Sequence, residues 1–247
     1  MNTSQFIQVN KRRLFTHTYK SRSALIRKSA VLLLKSGPYE DDNCENQFRF
    51  LSQHLTGQGF ECFTFDYFGT GDSEGFTGEG NIDMWIQDTL SYIDYLSHEK
   101  AINNLQIVAY GLGALVASMV TRQYSPYNLI LWNPVLDGKR YLDRFKKKDE
   151  PSLLQSLKAQ ENPSDPEGFP FSESQQESIR GLSWQKIVPQ VPHAHIITDE
   201  NLVGAQEAIA KSYGIKLHYL HIQDETESAA PHPIRRISKI IRSPYDV

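Results

Sequence analysis

The run Leu105–Ser118, LQIVAYGLGALVAS, places an apolar strand, a sharp glycine turn and a helix of small residues in direct succession. A turn of that shape is a nucleophile elbow, which in G-x-S-x-G sequences lifts a serine hydroxyl clear of its strand. Here the turn is Ala109-Tyr110-Gly111-Leu112-Gly113-Ala114, and Gly111 stands where the serine would. With no Oγ, an ester or thioester cannot be attacked by the usual covalent route. Tyr110 and Leu112 flank the apex and do not simply replace it. Other residues capable of chemistry lie downstream. Asp137 follows NLILWNPVL, Asp199 ends the run HAHIITD with Glu200 beside it, and His232 sits in Ala230-Pro231-His232-Pro233. His221, inside a strand pattern, is the weaker histidine. An Asp–His pair could act as a general base on water or on a substrate proton.

Bulk properties exclude several classes. A formal net charge of −3 and a pI near 6.2 give no general electrostatic reason to bind nucleic acid. The longest apolar runs, such as Ala30–Leu34, are far too short to span a bilayer. Lys11-Arg12-Arg13 near the start are not followed by an apolar core, so no signal peptide is expected. Cys44 and Cys62 are far apart and match no metal spacing, which predicts two free thiols in a reducing compartment and a cytoplasmic protein. No metal and no cofactor are expected.

The elements that must position these residues alternate regularly. Gln5–Val9 and Arg13–Tyr19 predict a strand hairpin. Ala30–Leu34 is continuously apolar, as in a strand buried on both faces, and ends at Ser36-Gly37-Pro38. Asn43–Leu55 and Asn81–Ser97 carry apolar residues at helical spacing. Glu61–Asp66, Leu105–Tyr110, Asn128–Trp132, His195–Thr198 and Leu217–Ile222 predict further strands. Leu112–Tyr124, Leu202–Tyr213 and Ile234–Ile241 predict helices. The whole, residues 1–247, reads as a single α/β domain with a mostly parallel central sheet and helices on both faces. From about 139 to 192 the pattern loosens and predicts a small lid over the carboxyl edge of the sheet. The Lys146-Lys147-Lys148 run within it suits a solvated helix end.

One further loop is distinctive: Asp66-Tyr67-Phe68-Gly69-Thr70-Gly71-Asp72-Ser73-Glu74-Gly75, a D-x-x-G-x-G-x-S run. Together with the elbow, it resembles the α/β-hydrolase superfamily. More narrowly, the chain resembles the exosortase A system-associated hydrolases of bacteria, through that loop, Leu131-Trp132-Asn133-Pro134-Val135-Leu136-Asp137-Gly138 with Tyr141-Leu142, and Gly168-Phe169-Pro170-Phe171-Ser172. The likeness covers roughly residues 25 to 185 well and the tail loosely.

The resemblance implies roles. The Ser36-Gly37-Pro38 loop and the Leu112 amide would furnish the two backbone donors of an oxyanion hole. Asp199 or Asp137 would be the acid, His232 the histidine, and Ser73 structural. It further implies a bacterial cytoplasmic protein connected with exopolysaccharide or surface-export loci. Three functions follow as expectations. The first is binding of an acyl (ester- or thioester-like) or other small molecule at Ser36, Gly37, Tyr110 and Leu112, without serine-type hydrolysis. The second is non-serine catalysis (a lyase, an isomerase or a water-activating hydrolase) by an Asp199–His232 pair. The third is a protein-partner module, a homodimer included.

Overall fold

The computed structural model describes residues 2–23, 29–37, 41–146, 171–184, 189, 191, 193–199, 207, 210–220 and 232–242. The chain opens with an antiparallel hairpin, β1 (Thr3–Val9) and β2 (Arg12–Tyr19). Its two-residue turn, Asn10-Lys11, has φ of +46° and +64°. Two positive φ values define the turn whose twist matches that of paired strands.

Then come β3 (Ala30–Leu34), α1 (Asp41–Gly57), β4 (Glu61–Phe65), α2 (Ile82–Lys100), β5 (Leu105–Tyr110), α3 (Gly113–Val120), β6 (Leu129–Trp132), α4 (Gly138–Lys146), α5 (Glu173–Arg180), β7 (Ala194–Asp199), β8 (Lys216–Leu220) and α6 (His232–Arg242). The strands form one sheet in the order β1-β2-β4-β3-β5-β6-β7-β8. β2 joins β4 antiparallel, and from β4 to β8 all neighbours run parallel. No helix among the described residues is long and apolar enough to cross a membrane.

Alternation along β3 explains the layering. Leu32 and Leu34 join the core beneath α2 and α3, whereas Val31 and Leu33 join the core beneath α1 and α6. All five β3 residues are buried, as expected of a strand covered on both faces. Cys44 and Cys62 are buried in the second core and form no disulfide; burial pushes the Cys62 thiol well above the usual range.

α2 begins where the Asn81 side chain accepts a hydrogen bond from the Met84 amide at 3.1 Å, an N-cap. Within the stretch expected to form a lid, α4 and the residues leading into α5 meet through Tyr141, Phe145 and Phe171. α5 starts with a reciprocal capping box between Ser172 and Gln175. The Ser172 hydroxyl also donates to the Gly78 carbonyl (2.7 Å), which docks α5 on the loop leading into α2. Residues 147–170, which include Lys147 and Lys148, lie outside the described residues.

One ion pair holds the hairpin to this body. Arg12 donates to Asp88 of α2 at 2.7 Å, and the other Asp88 oxygen accepts from the Phe68 amide at 2.9 Å. Asp88 is almost wholly buried. Burial pushes its carboxyl above the ordinary range, against the pull of Phe68 and Arg12. Removing one partner of such a pair strands the other. Asp88→Ala is therefore expected to cost about 3–5 kcal/mol in urea unfolding, and Asp88→Asn, which keeps an acceptor for Phe68, distinctly less.

Candidate functional site at the strand-to-helix turn

β5 ends at Tyr110 and α3 begins at Gly113, so the chain reverses over Gly111 and Leu112. Gly111 has φ of +55°, in the left-handed region that costs an ordinary residue about 1–2 kcal/mol. Glycine adopts it freely. The turn thus has the sharp geometry of an elbow and carries no side chain at its apex. Its backbone is also committed. The Gly111 amide donates to the Trp132 carbonyl (3.0 Å), and its own carbonyl accepts from Val135 (3.2 Å) and Ala114 (3.2 Å). The Tyr110 ring packs edge-on against Trp132 at 5.3 Å.

The loop after β3 crosses directly over this turn. A Cβ added to Gly113 would stand 2.1 Å from the Lys35 carbonyl oxygen and 2.7 Å from that of Leu34, so only glycine permits the approach. The crossing brings together the two segments expected to supply oxyanion donors. The Leu112 amide, expected to face a ligand, instead donates to the Ser36 hydroxyl at 3.1 Å, and both residues are buried. Gly37 (φ +111°) lies against the Leu112 side chain and Trp85. Trp85 stacks on Tyr67 at 5.3 Å, and the Tyr67 hydroxyl donates to the Lys35 carbonyl (3.3 Å). Pro38 lies outside the described residues.

The expected acids and histidine fare differently. Asp137 is drawn into capping α4: its Oδ1 accepts from the Arg140 amide at 2.8 Å. Asp199 is the last residue of β7, in register with Leu220. His232 opens α6 rather than standing in a loop before it. The side chains of Asp199 and His232, and all of Glu200 and His221, lie outside the described residues. Among the described residues, no group of three or more His, Cys, Asp or Glu is arranged to hold a metal ion.

The D-x-x-G-x-G-x-S loop is tied to the same crossing. Asp66 accepts from Lys35 Nζ (2.7 Å) and from the Asp72 amide (2.9 Å). Lys35 also reaches Glu45 at 2.7 Å. Burial works against the lysine's charge, but Asp66 and Glu45 outweigh it and hold the ammonium above its ordinary range. Ser73 donates to the Asp66 carbonyl (2.6 Å) and accepts from the Phe15 amide (2.8 Å). Its hydroxyl is thereby committed to the backbone. A cavity of about 230 Å³ opens beside this cluster and is lined by His17, Tyr19, Lys35, Glu45, Asp66 and Asp72, among others. It does not reach Gly111.

Residues 41–211 match the model of the serine aminopeptidase S33 family. The chain belongs to this family. Among solved structures, an esterase of Pyrococcus furiosus superposes with a TM-score of 0.66 at 17% identity, over 98% of this chain and 91% of that one. Est1E of Butyrivibrio proteoclasticus, solved with ferulic acid bound, gives 0.65 at 14% identity, over 97% and 96%. An epoxide hydrolase of Vigna radiata gives 0.62 at 15%, over 98% and 97%. Likenesses at these identities show the α/β-hydrolase fold and leave the chemistry to the site itself. No curated protein sequence matches the chain.

For this S33-family chain, sequence reasoning missed the Ser36–Leu112 bond, which joins residues 76 positions apart and leaves no local signal. The Asp137 cap did have a signal, an aspartate three residues before Arg140 at the start of a helix. The crossing can be tested by stability. Gly111→Ser should lose about 1–2 kcal/mol, the cost of a side chain at positive φ. Ser36→Ala, which leaves the buried Leu112 amide unpaired, should lose about 1–3 kcal/mol. Gly113→Ala should exceed both in chemical denaturation, because its Cβ meets backbone that cannot step aside.

Proposed function

We propose that this chain is a non-hydrolysing member of its family that binds an acyl or comparable small molecule at the elbow. The reading rests on one observation: the apex residue, Gly111, has no side chain, and the turn keeps the left-handed geometry of an elbow. On this reading Gly111 occupies the nucleophile's position. The Ser36 hydroxyl then holds the Leu112 amide until a ligand oxygen takes its place. Exchanging one hydrogen-bond acceptor for another is nearly neutral in free energy, whereas leaving the amide bare is not. The site can therefore open only to a ligand that brings an acceptor, which favours a carbonyl. The Leu131–Gly138 run and the Phe65–Gly75 loop support placing the chain with the exosortase A system-associated members.

A fluorophosphonate probe should leave the purified chain unlabelled, and p-nitrophenyl acetate should be hydrolysed no faster than in buffer. Labelling at any serine would sink the reading. The binding half is read by amide NMR with an S-acetyl thioester. The Leu112 resonance should move in a saturable way at millimolar ligand, and in Ser36→Ala the same shift should saturate at lower concentration. A Leu112 resonance that stays still in both proteins overturns it.

A further inference from the structure

At the opposite, amino edge of the sheet a second cavity of about 430 Å³ lies between α6 and the last two strands. Its lining is strongly basic. Lys216 and His218 come from β8, His195 from β7 with His193 just before it, and Arg236 and Lys239 from α6. Tyr127, Asn128 and Ile240 complete it, and no Asp or Glu lines it among the described residues. The register explains the convergence. His195 pairs with Lys216, and Lys216 and His218 are two residues apart and so share one face of β8.

We propose that this cavity binds a phosphate-bearing small molecule. Three observations point there. First, cations converge without a counter-charge among the described residues, and Arg236 Nε is buried with no hydrogen-bond partner among them; a buried donor of that kind is costly unless something accepts from it. Second, His195 Nδ1 and His218 Nε2 lie 3.0 Å apart with their rings stacked. One ring offers its lone pair to the other's N–H, and the donor ring's other nitrogen keeps its own lone pair, so the pair can take up one proton with that bond intact. Burial, then His218, Lys216 and His193, hold His195 down to about 4. Burial, Arg236 and Lys216 likewise lower His218. An anion among these groups reverses the sign of that field and lets a histidine become a charged donor. Third, the helix end that would repel an anion is already masked. The last carbonyls of α6 carry partial negative charge, but Asn128 donates to that of Ile240 (3.5 Å) and Gln106 to that of Ile241 (3.3 Å).

A helix dipole alone accounts for Arg236 and Lys239 near the end of α6. It does not account for Lys216, His195 and His218, which come from strands, or for His193 just before β7. The volume exceeds that of a phosphate and falls in the range of small-molecule sites. Beyond the cations, the exposed Tyr127 ring lies over His193 at 6.3 Å and 28°, a flat surface for the rest of the ligand.

Titration calorimetry of the full chain with inorganic pyrophosphate, against sodium chloride of equal ionic strength, tests the site. Saturable one-site binding is expected. Lys216→Gln/Lys239→Gln changes two exposed side chains and should fold normally; it should weaken binding by about tenfold for each cation removed. Ser36→Ala, at the other edge, should leave binding unchanged. Sulfate, whose charge is constant over the range, should bind more tightly at pH 5.5 than at pH 7.5, because protonated histidine is the form it favours. The proposal is overturned if pyrophosphate does no more than chloride. Equal affinity in the double lysine variant, or sulfate affinity that does not rise as pH falls, overturns it as well.

Discussion

The bare contact between Gly113 and the backbone of Leu34 and Lys35 is the constraint on which the carboxyl edge is built. Two chain segments cross there with no side chain between them. That closeness brings the Leu112 amide within reach of the Ser36 hydroxyl. It also leaves the Lys35 carbonyl to accept from Tyr67, while the Lys35 ammonium binds Asp66. A single residue thus links the elbow helix to the loop that follows β4. Side-chain packing in a core can relax around a substitution by rotamer changes. A backbone-to-backbone crossing has no such freedom, so the relative position of α3 and β3 is set with little slack.

The turn's own polar groups are also satisfied within the chain. A serine at the apex would hold its backbone in a costly conformation, which persists only where surrounding structure over-determines it. With glycine there is no such cost, and the surrounding bonds add stability instead of restraining strain. Gly111 gives its amide to Trp132 and its carbonyl to Val135 and Ala114. Leu112 gives its amide to Ser36. A turn without a side chain at its apex and internal satisfaction of its donors are two sides of one arrangement.

Much of this frame could be read from residue order. Ala30–Leu34 and Leu105–Tyr110 form strands at the expected limits, because largely apolar runs ended by polar or glycine residues leave few alternatives. The helix expected from Leu112 to Tyr124 is shorter, Gly113–Val120, with turns after it; small residues set its packing but not its end. Ser73 looks reactive by type and is structural by contact. What local reasoning could not reach was anything assembled across the sheet. Ser36 and Leu112 meet only because β3 and β5 are neighbours. The basic cavity draws on β7, β8 and α6, each of which alone shows only one or two basic residues. The strand pattern even obscures it, since polar residues at strand ends are commonplace.

The two edges of the sheet therefore stand in opposite states. At the carboxyl edge, the backbone groups of Gly111 and the Leu112 amide are matched within the chain, and on the proposed reading a ligand must displace an existing bond to enter. At the amino edge, Arg236 Nε has no partner among the described residues, and burial, with the cations nearby, lowers the proton affinity of both His195 and His218. A fold under selection for stability alone has an easy remedy for such crowding: one acidic side chain, or an apolar residue in place of Arg236. Retaining convergent charge in a half-buried cavity makes physical sense where an external anion completes the set. The edge that looks like the family's working site is thus the better satisfied of the two, and the edge that no motif marks holds the unmet electrostatic demand.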